Sequence, residues 1–494
     1  MISLRVTLFL VILLTSLNLS ESLTRFIHGR RFYHDEKQIR LFKIKNNITD
    51  LYYDQELDHF NEAESRTWKQ RYWVNDEFFE RESGPVFLMI GGEGEENPIW
   101  MKKGNWVVLA QKYNALLVML EHRFYGKSRP TEDMSTDNLK YLSSEQGLAD
   151  LATFRQFIHT SFNLTNSNKW ISFGGSYPGS LSAWFRLKYP HLVHAAVSSS
   201  APMLALVNFT DYLVVVNNSL YLYSPSCPRF IAQAMSQIEG LMMTPGGRST
   251  LEKLFRTCDS IDSDLDVANF YSAVIGNFEE AVQYNKDNRL SRNTTITIDL
   301  LCDTMDQGSI GDPLTRYATV NDIFLEEYGQ KCLDISYKKF IDEMKSVSWE
   351  SSASEGGRQW TYQTCVEFGF YQSTDSPKHP FGQNIPADFY INQCKDIFGS
   401  EYDLNLLQRA VRDTNTNYGG YTYEGSRVVF VNGEIDPWHA LGFTGQPPNS
   451  NTETIFIKGT AHCADLYPSS QKDPASLTQA RNRIDELIGQ WLTQ

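Results

Sequence analysis

Three short apolar runs, PVFLMIGG (Pro85 to Gly92), ALLVMLEHR (Ala115 to Arg123) and KWISFGG (Lys169 to Gly175), each close on glycine or polar residues. Continuous apolar runs of this length, without the polar alternation of a half-exposed strand, predict strands buried on both faces of a parallel sheet. Between the last two, LSSEQGLADLATFRQFIHTSF sets Leu148, Leu151, Phe154 and Phe157 at helical spacing behind Ser144, which predicts an amphipathic helix. A fourth run, HAAVSSSAP (His194 to Pro202), follows the helix-like segment SLSAWFRLKY. Strands alternating with helices predict an α/β fold, a doubly wound and mostly parallel sheet.

The texture then changes. From Leu206 to Gly425 the periodicity is helical: Phe230, Ala234, Ile238, Leu241; Leu251, Leu254, Phe255, Cys258; Tyr271, Val274, Ile275, Phe278. Strand-like runs return at RVVFVNG (Arg427 to Gly433) and TIFIKG (Thr454 to Gly459). We therefore expect residues 23–205 and 426–494 to build one α/β domain, interrupted by a mostly helical cap over residues 206–425. SSASEGG (Ser351 to Gly357) reads as a flexible loop.

Composition adds a compartment. Hydrophobic residues at 41%, with 29 Phe, 25 Tyr and 10 Trp, describe a folded globular chain. A formal charge of −14 without a Lys/Arg cluster disfavours nucleic acid as a partner. Residues 1–22 read as a secretory signal, with Arg5 before the apolar VTLFLVILLTSL and small residues at Ser20 and Ser22. That stretch is too short to span a bilayer, and no transmembrane segment follows in the mature chain. Six of the seven cysteines, Cys227, Cys258, Cys302, Cys332, Cys365 and Cys394, crowd the helical region. No CxxC pair is present, so they predict disulfides of an exported protein, with the pairing left open. Sequons at Asn47, Asn163, Asn208, Asn217 and Asn293 point the same way. The amphipathic faces of the cap serve a homodimer or a monomer's core equally.

One short stretch carries chemistry. In FGGSYPGSLSAWF, Ser176 stands between the run KWISF and a helix-like segment, with glycine at 174, 175 and 179. A nucleophile elbow needs this, because the nucleophile takes a strained backbone and small neighbours let strand and helix approach. The pattern departs from GxSxG: Pro178 holds the fifth position, tolerated in a helix's first turn. Taken alone, the stretch also fits a glycine-rich loop with an incidental serine. Partners in the expected order change that. Asp436 follows the run RVVFVNG, and His462 follows TIFIKG, each where a strand's C-terminal end delivers catalytic groups. His462 would take the Ser176 proton, and Asp436 would fix the imidazole tautomer. Glu434 and His439 are nearby rivals. For the oxyanion, the Tyr177 backbone N–H is one expected donor, and Gly92 or Glu93 in IGGEGEE is the other. The glutamates of that loop suit either a peptide's α-amino group or plain solvation.

Six stretches in consistent order resemble the lysosomal Pro-X carboxypeptidase family of serine peptidases, which also holds dipeptidyl peptidase 2 and the thymus-specific serine protease. They are LDHFN with TWKQRYWVN, EHRFYGKSRP, LSSEQGLADLATF, GGSYPGSLSAWFR, WTYQTCVEFGFYQ, and VNGEIDPWHALG with GTAHCADLYP. Within the family, the GTAHCAD and SYPGS wording is closer to the thymus-specific branch than to the other two members. The resemblance implies an α/β-hydrolase fold with a disulfide-containing helical cap, and a triad of Ser176, Asp436 and His462. It also implies a secreted or lysosomal exopeptidase acting on a peptide substrate next to proline or small residues, while the direction of cleavage stays open. Glu367 and Trp438 are candidates for the substrate pocket, each with a structural role as the alternative. No metal or cofactor is implied, because protein groups supply every function of the mechanism. A carboxylesterase on the same fold and a non-catalytic hydrolase-like binding protein are the competing readings. Cys463, beside His462, is expected to be a buried free thiol.

Overall fold

The computed structural model describes the backbone of Arg25–Ile27 and Arg30–Phe32, and residues 48–286 and 296–494 in full. The expected signal segment and the sequons at Asn47 and Asn293 lie outside the described residues.

Every apolar run singled out above forms a strand of one eight-stranded sheet. These are β3 (Val86–Ile90), β4 (Leu116–Leu120), β5 (Trp170–Gly175), β6 (Ala195–Ser199), β7 (Val428–Gly433) and β8 (Thr452–Ile457). They are parallel throughout and lie in the order β8-β7-β6-β5-β3-β4. Two strands that the apolar runs do not announce, β1 (Leu51–Glu56) and β2 (Thr67–Asn75), extend the sheet antiparallel beside β4. Their signal is a different one: in TWKQRYWVN, exposed Thr67 and Lys69 alternate with buried Trp68 and Gln70, the mark of a strand near a sheet edge.

The continuous apolar runs serve two cores at once. Along β3, Val86, Leu88 and Ile90 pack into one, while Phe87 and Met89 pack into the other. Successive side chains of a strand point to opposite faces, so a strand covered on both sides reads as a nearly continuous apolar run. One cover is α1 (Ser144–Ser161), capped by Ser143 Oγ, which accepts the Gln146 N–H. It presents Leu148, Leu151 and Phe154 to the sheet. The other includes the last helix, Ala475–Thr493, with Ile484, Ile488 and Trp491 buried. The arrangement is that of an α/β hydrolase.

Between β6 and β7 the chain is mostly helical, beginning with Asp211–Tyr223, Ser226–Met242, Pro245–Leu254 and Asp264–Gln283. Three disulfides join Cys227 to Cys302, Cys258 to Cys332 and Cys365 to Cys394, across 75, 74 and 29 residues. In the loop-entropy picture each stabilises the fold by about 4 kcal/mol. The third helical pattern is realised fully, with Tyr271, Val274, Ile275 and Phe278 all buried. The second is cut short, since its helix ends at Leu254 and Cys258 lies beyond it. SSASEGG is not a loose loop. Ser352–Glu355 forms a 3-10 turn with Ala353 fully buried, pinned by the Ser354 hydroxyl on the Trp349 carbonyl. Of the described sequons, Asn163 is exposed and Asn217 half-buried, whereas the Asn208 amide donates to Asp375. Among the described residues no helix is long and apolar enough to cross a membrane.

Candidate active site

β5 delivers its chain directly into Ser176, whose backbone stands at φ 65° and ψ −134°, and α2 (Tyr177–Lys188) starts at the next residue. A non-glycine residue there carries about 1–3 kcal/mol of strain, which the surroundings must override. They do so by hydrogen bonds at both of its peptide groups. The Ser176 N–H donates to the Ser199 carbonyl at 2.9 Å, and its own carbonyl accepts from Gly179 at 2.8 Å and Ser180 at 3.2 Å. The flanking glycines answer to space. A Cβ at position 174 would lie 2.1 Å from the Pro178 carbonyl oxygen, and one at 179 would lie 2.6 Å from that of Ser199. Pro178 sits in the first turn of α2 with its ring against Gly92, where a Cβ would come within 2.3 Å of Cγ. The displaced glycine of this elbow thus serves the crossing of α2 over β6.

Asp436 and His462 come from the ends of β7 and β8. Asp436 caps the 3-10 turn Pro437–Leu441 by accepting the Trp438 N–H at 3.0 Å. The same oxygen, Oδ1, accepts His462 Nδ1–H at 2.9 Å. Asp436 is 0% exposed and His462 3%. Burial alone would lower the imidazole pKa, but the adjacent Asp436 charge outweighs it and holds His462 well above the usual histidine range. The segment carrying His462 is bolted to the sheet beside the elbow. The Cys463 N–H donates to Ser200 Oγ at 2.8 Å, and the Asp465 carboxylate accepts from Ser199 Oγ at 2.6 Å. A Cβ on Gly175 would lie 2.8 Å from Cys463 Sγ, so this segment packs directly on the residue before Ser176. His462 Nε2 is buried and, among the described residues, makes no hydrogen bond, to Ser176 Oγ or to any other group. Cys463 is a buried free thiol.

The rivals turn elsewhere. His439 Nδ1 bonds the Gly433 carbonyl at 3.1 Å with its ring edge-on to Phe456, and Glu434 accepts the Gly459 N–H at 3.0 Å. Neither side chain bonds the Asp436 carboxylate or the His462 ring; the His439 backbone N–H donates to the Asp436 carbonyl at 3.1 Å.

For the oxyanion donors, the Tyr177 N–H opens α2, where no helical carbonyl precedes it. The Gly92 N–H is already engaged, donating to Glu96 Oε1 at 3.1 Å, because that side chain folds back over its own loop. Glu93 is the other expected residue. Its side chain is only 2% exposed, so it is not a solvated loop acid.

Glu367 and Trp438 are both buried, at 9% and 3% exposure. Glu367 lies on a π-helical turn, Thr364–Phe368. It accepts the Ser144 N–H at 2.8 Å and Gln363 Nε2–H at 2.9 Å. Burial pushes its pKa up to about 7. Gln363 also donates to the Tyr177 hydroxyl, which lies 3.1 Å from both Ser144 Oγ and His122 Nε2. Glu367 is therefore the far end of a polar network under the elbow. Trp438 packs against Phe209, Tyr212 and Phe370.

Two residues that no local motif announces complete the neighbourhood. The Gln283 carbonyl accepts the His462 N–H at 3.1 Å, and Gln283 Oε1 accepts from Trp438 Nε1 at 3.0 Å and the Tyr212 hydroxyl at 2.6 Å. The helix Asp264–Gln283 is thereby fastened to the Asp436–His462 pair. The only trace of this in the sequence is a glutamine continuing an otherwise apolar stripe. Among the described residues no group of three or more His, Cys, Asp or Glu is arranged to hold a metal ion.

Comparison with known proteins adds the family. The chain is 37% identical to the thymus-specific serine protease of Mus musculus over 444 residues, covering 89% of this chain and 86% of that protein. It is 28% identical to the lysosomal Pro-X carboxypeptidase of Homo sapiens over 465 residues, covering 91% and 89%. A solved structure, the peroxisomal alpha-beta-hydrolase of Saccharomyces cerevisiae, aligns at 9% identity with a TM-score of 0.38, over 91% of this chain and 90% of that one. The profile of the family described as serine carboxypeptidase S28 matches residues 55–484. The elbow, the paired Asp436 and His462 and a match over most of the chain agree: the chain belongs to the serine carboxypeptidase S28 family and is a serine-type peptidase.

Proposed function

We propose that this protein is a secreted or lysosomal serine exopeptidase that cleaves peptides next to proline or small residues through an acyl-enzyme. The observation that carries the reading is the His462 imidazole, fixed at Nδ1 by Asp436 with Nε2 left unengaged beside the strained Ser176 turn. In this scheme Nε2 takes the Ser176 hydroxyl proton as Oγ attacks the scissile carbonyl. The Asp436 charge stabilises the imidazolium that forms. The Tyr177 and Glu93 backbone N–H groups receive the oxyanion. The imidazolium then protonates the leaving amine, and water, activated by the same nitrogen, hydrolyses the ester. Residues 206–425 act as the cap over this site.

The proline and small-residue preference, and the lysosomal or secreted location, rest on the likeness to a lysosomal Pro-X carboxypeptidase and on the three disulfides. Fluorophosphonate labelling of the purified protein, with Ser176→Ala as control, tests the nucleophile. A folded wild-type protein that takes no label at any pH sinks the reading. Peptides blocked at either end test the exopeptidase claim, which fails if neither block reduces cleavage.

A further inference from the structure

Glu279 lies on the helix Asp264–Gln283, one turn before Gln283 and so on the same face. It is only 7% exposed, and among the described residues its carboxylate has no hydrogen-bond or ion-pair partner. Three other acids near the site are engaged: Asp436 by His462, Asp465 by Ser199, Glu367 by Ser144 and Gln363. Its position is tied to the candidate active site by Tyr212. That hydroxyl bonds Gln283 at 2.6 Å, its ring packs 5.8 Å from that of Trp438, and it feels the charges of both Glu279 and Asp436. Tyr317 and Tyr390 feel Glu279 as well, so the carboxylate stands among tyrosines, and among the described residues no cation pairs with it.

Burying a carboxylate without a partner is among the least favourable arrangements a fold can hold, because desolvation is not offset. Burial raises the Glu279 pKa to about 8. A cation arriving with the substrate removes that penalty and forms a charge-assisted hydrogen bond in a dry site. The cation that every unblocked peptide carries at one end is its α-ammonium. The opposite, carboxyl end would bring no such compensation, because it would bury an anion beside a group that offers no positive charge.

Resting on the serine exopeptidase reading, we propose that Glu279 binds the α-ammonium group of the peptide substrate, so that this enzyme removes residues from the amino end. Specificity then comes from the helical insertion and the bond-breaking groups from the sheet.

The test uses the full mature protein and a library of fluorogenic dipeptidyl amides, each with its amino end free or acetylated. Wild-type kcat/KM should favour the free amine. Glu279→Gln should lower the free-to-acetylated ratio by roughly 30-fold or more, chiefly through KM, the expected size for losing one partner of a buried charge pair. Glu279→Asp should recover part of it. A loss that falls equally on both substrate sets, leaving the ratio unchanged, marks a structural role and overturns the proposal, as does a wild-type enzyme indifferent to acetylation. Fluorophosphonate labelling of wild type separates the two levels, since a labelled enzyme without amine preference sinks this inference and spares the serine peptidase reading. If no label is taken, thermal stabilisation of Ser176→Ala by free-amine dipeptides, lost in Ser176→Ala/Glu279→Gln, still reads the site without catalysis. Equal stabilisation in both proteins overturns the proposal.

Discussion

His462 Nδ1 donates to Asp436 Oδ1 at 2.9 Å, and that same oxygen accepts the Trp438 N–H at 3.0 Å. The carboxylate is thereby clamped between the imidazole and its own backbone turn, and it cannot rotate away without unwinding Pro437–Leu441. Asp436→Asn keeps the shape but removes the charge and offers an amide N–H to the ring, favouring the wrong tautomer. We expect kcat/KM against a fluorogenic peptide to fall on the order of 10⁴-fold. Circular dichroism should be unchanged; a fall under tenfold would remove Asp436 from the role given to it.

Gly92 and Pro178 touch across the elbow, so their variants should not be additive. Gly92→Ala places a Cβ 2.3 Å from Pro178 Cγ and must shift either α2 or the loop carrying Glu93. Pro178→Gly alone should leave Ser176 labelling largely intact. Combined with Gly92→Ala it should restore much of the lost kcat/KM, with a coupling of about 1–3 kcal/mol in a double-mutant cycle. Strict additivity would show that the contact does not position the loop.

In the proposed mechanism Tyr177 contributes its backbone to the chemistry, and its side chain belongs to the polar network beneath the elbow. Tyr177→Phe deletes a buried hydroxyl shared by Ser144, His122 and Gln363. Leaving those groups short of a partner should cost about 1–3 kcal/mol, seen as a lower denaturant midpoint. Because the N–H remains, kcat should fall less than tenfold.

The pH dependence of stability has a definite sign. Burial raises Glu367 to about 7 and Asp465 to about 6, so the folded state keeps protons that the unfolded chain releases near pH 4. Stability therefore falls as pH rises through those windows, by up to about 1.4 kcal/mol per pH unit for each group. His122, lowered by burial to about 4, pulls the other way between pH 6.5 and 4. A difference measurement isolates one group: Glu367→Gln should lose less stability than wild type between pH 5 and 7. Parallel curves would refute it.

The sequence made the sheet core legible because doubly covered strands are apolar or small on both faces. It also made the two loops bearing Asp436 and His462 legible, since each follows such a strand. β1 and β2 were harder because a strand near an edge alternates, and their register is set by partners elsewhere in the chain. The donor loop was legible only as a pair, Gly92 or Glu93, because the choice depends on where the Glu96 side chain folds. Glu367 belongs to a stretch that family resemblance picks out, yet its surroundings are set by Gln363 one turn away and by Ser144, a contact that reaches across to α1. Gln283 and Glu279 were invisible for the same reason: a polar residue on an apolar helical face has no meaning until the facing side chains are known.

The pairing of β6 with β7, which sets Ala196 opposite Val428, joins the segment bearing Ser176 to the segment bearing Asp436. Everything between is a closed excursion of the chain, and contacts between such distant residues form slowly because loop closure precedes their reward. On the proposed triad, activity is thus timed by synthesis: the serine is made early, and it stays without a base until the C-terminal segment has emerged and docked. A hydrolase built in this order is harmless while it is still being made, and a chain cut short before β8 holds an elbow that cannot work.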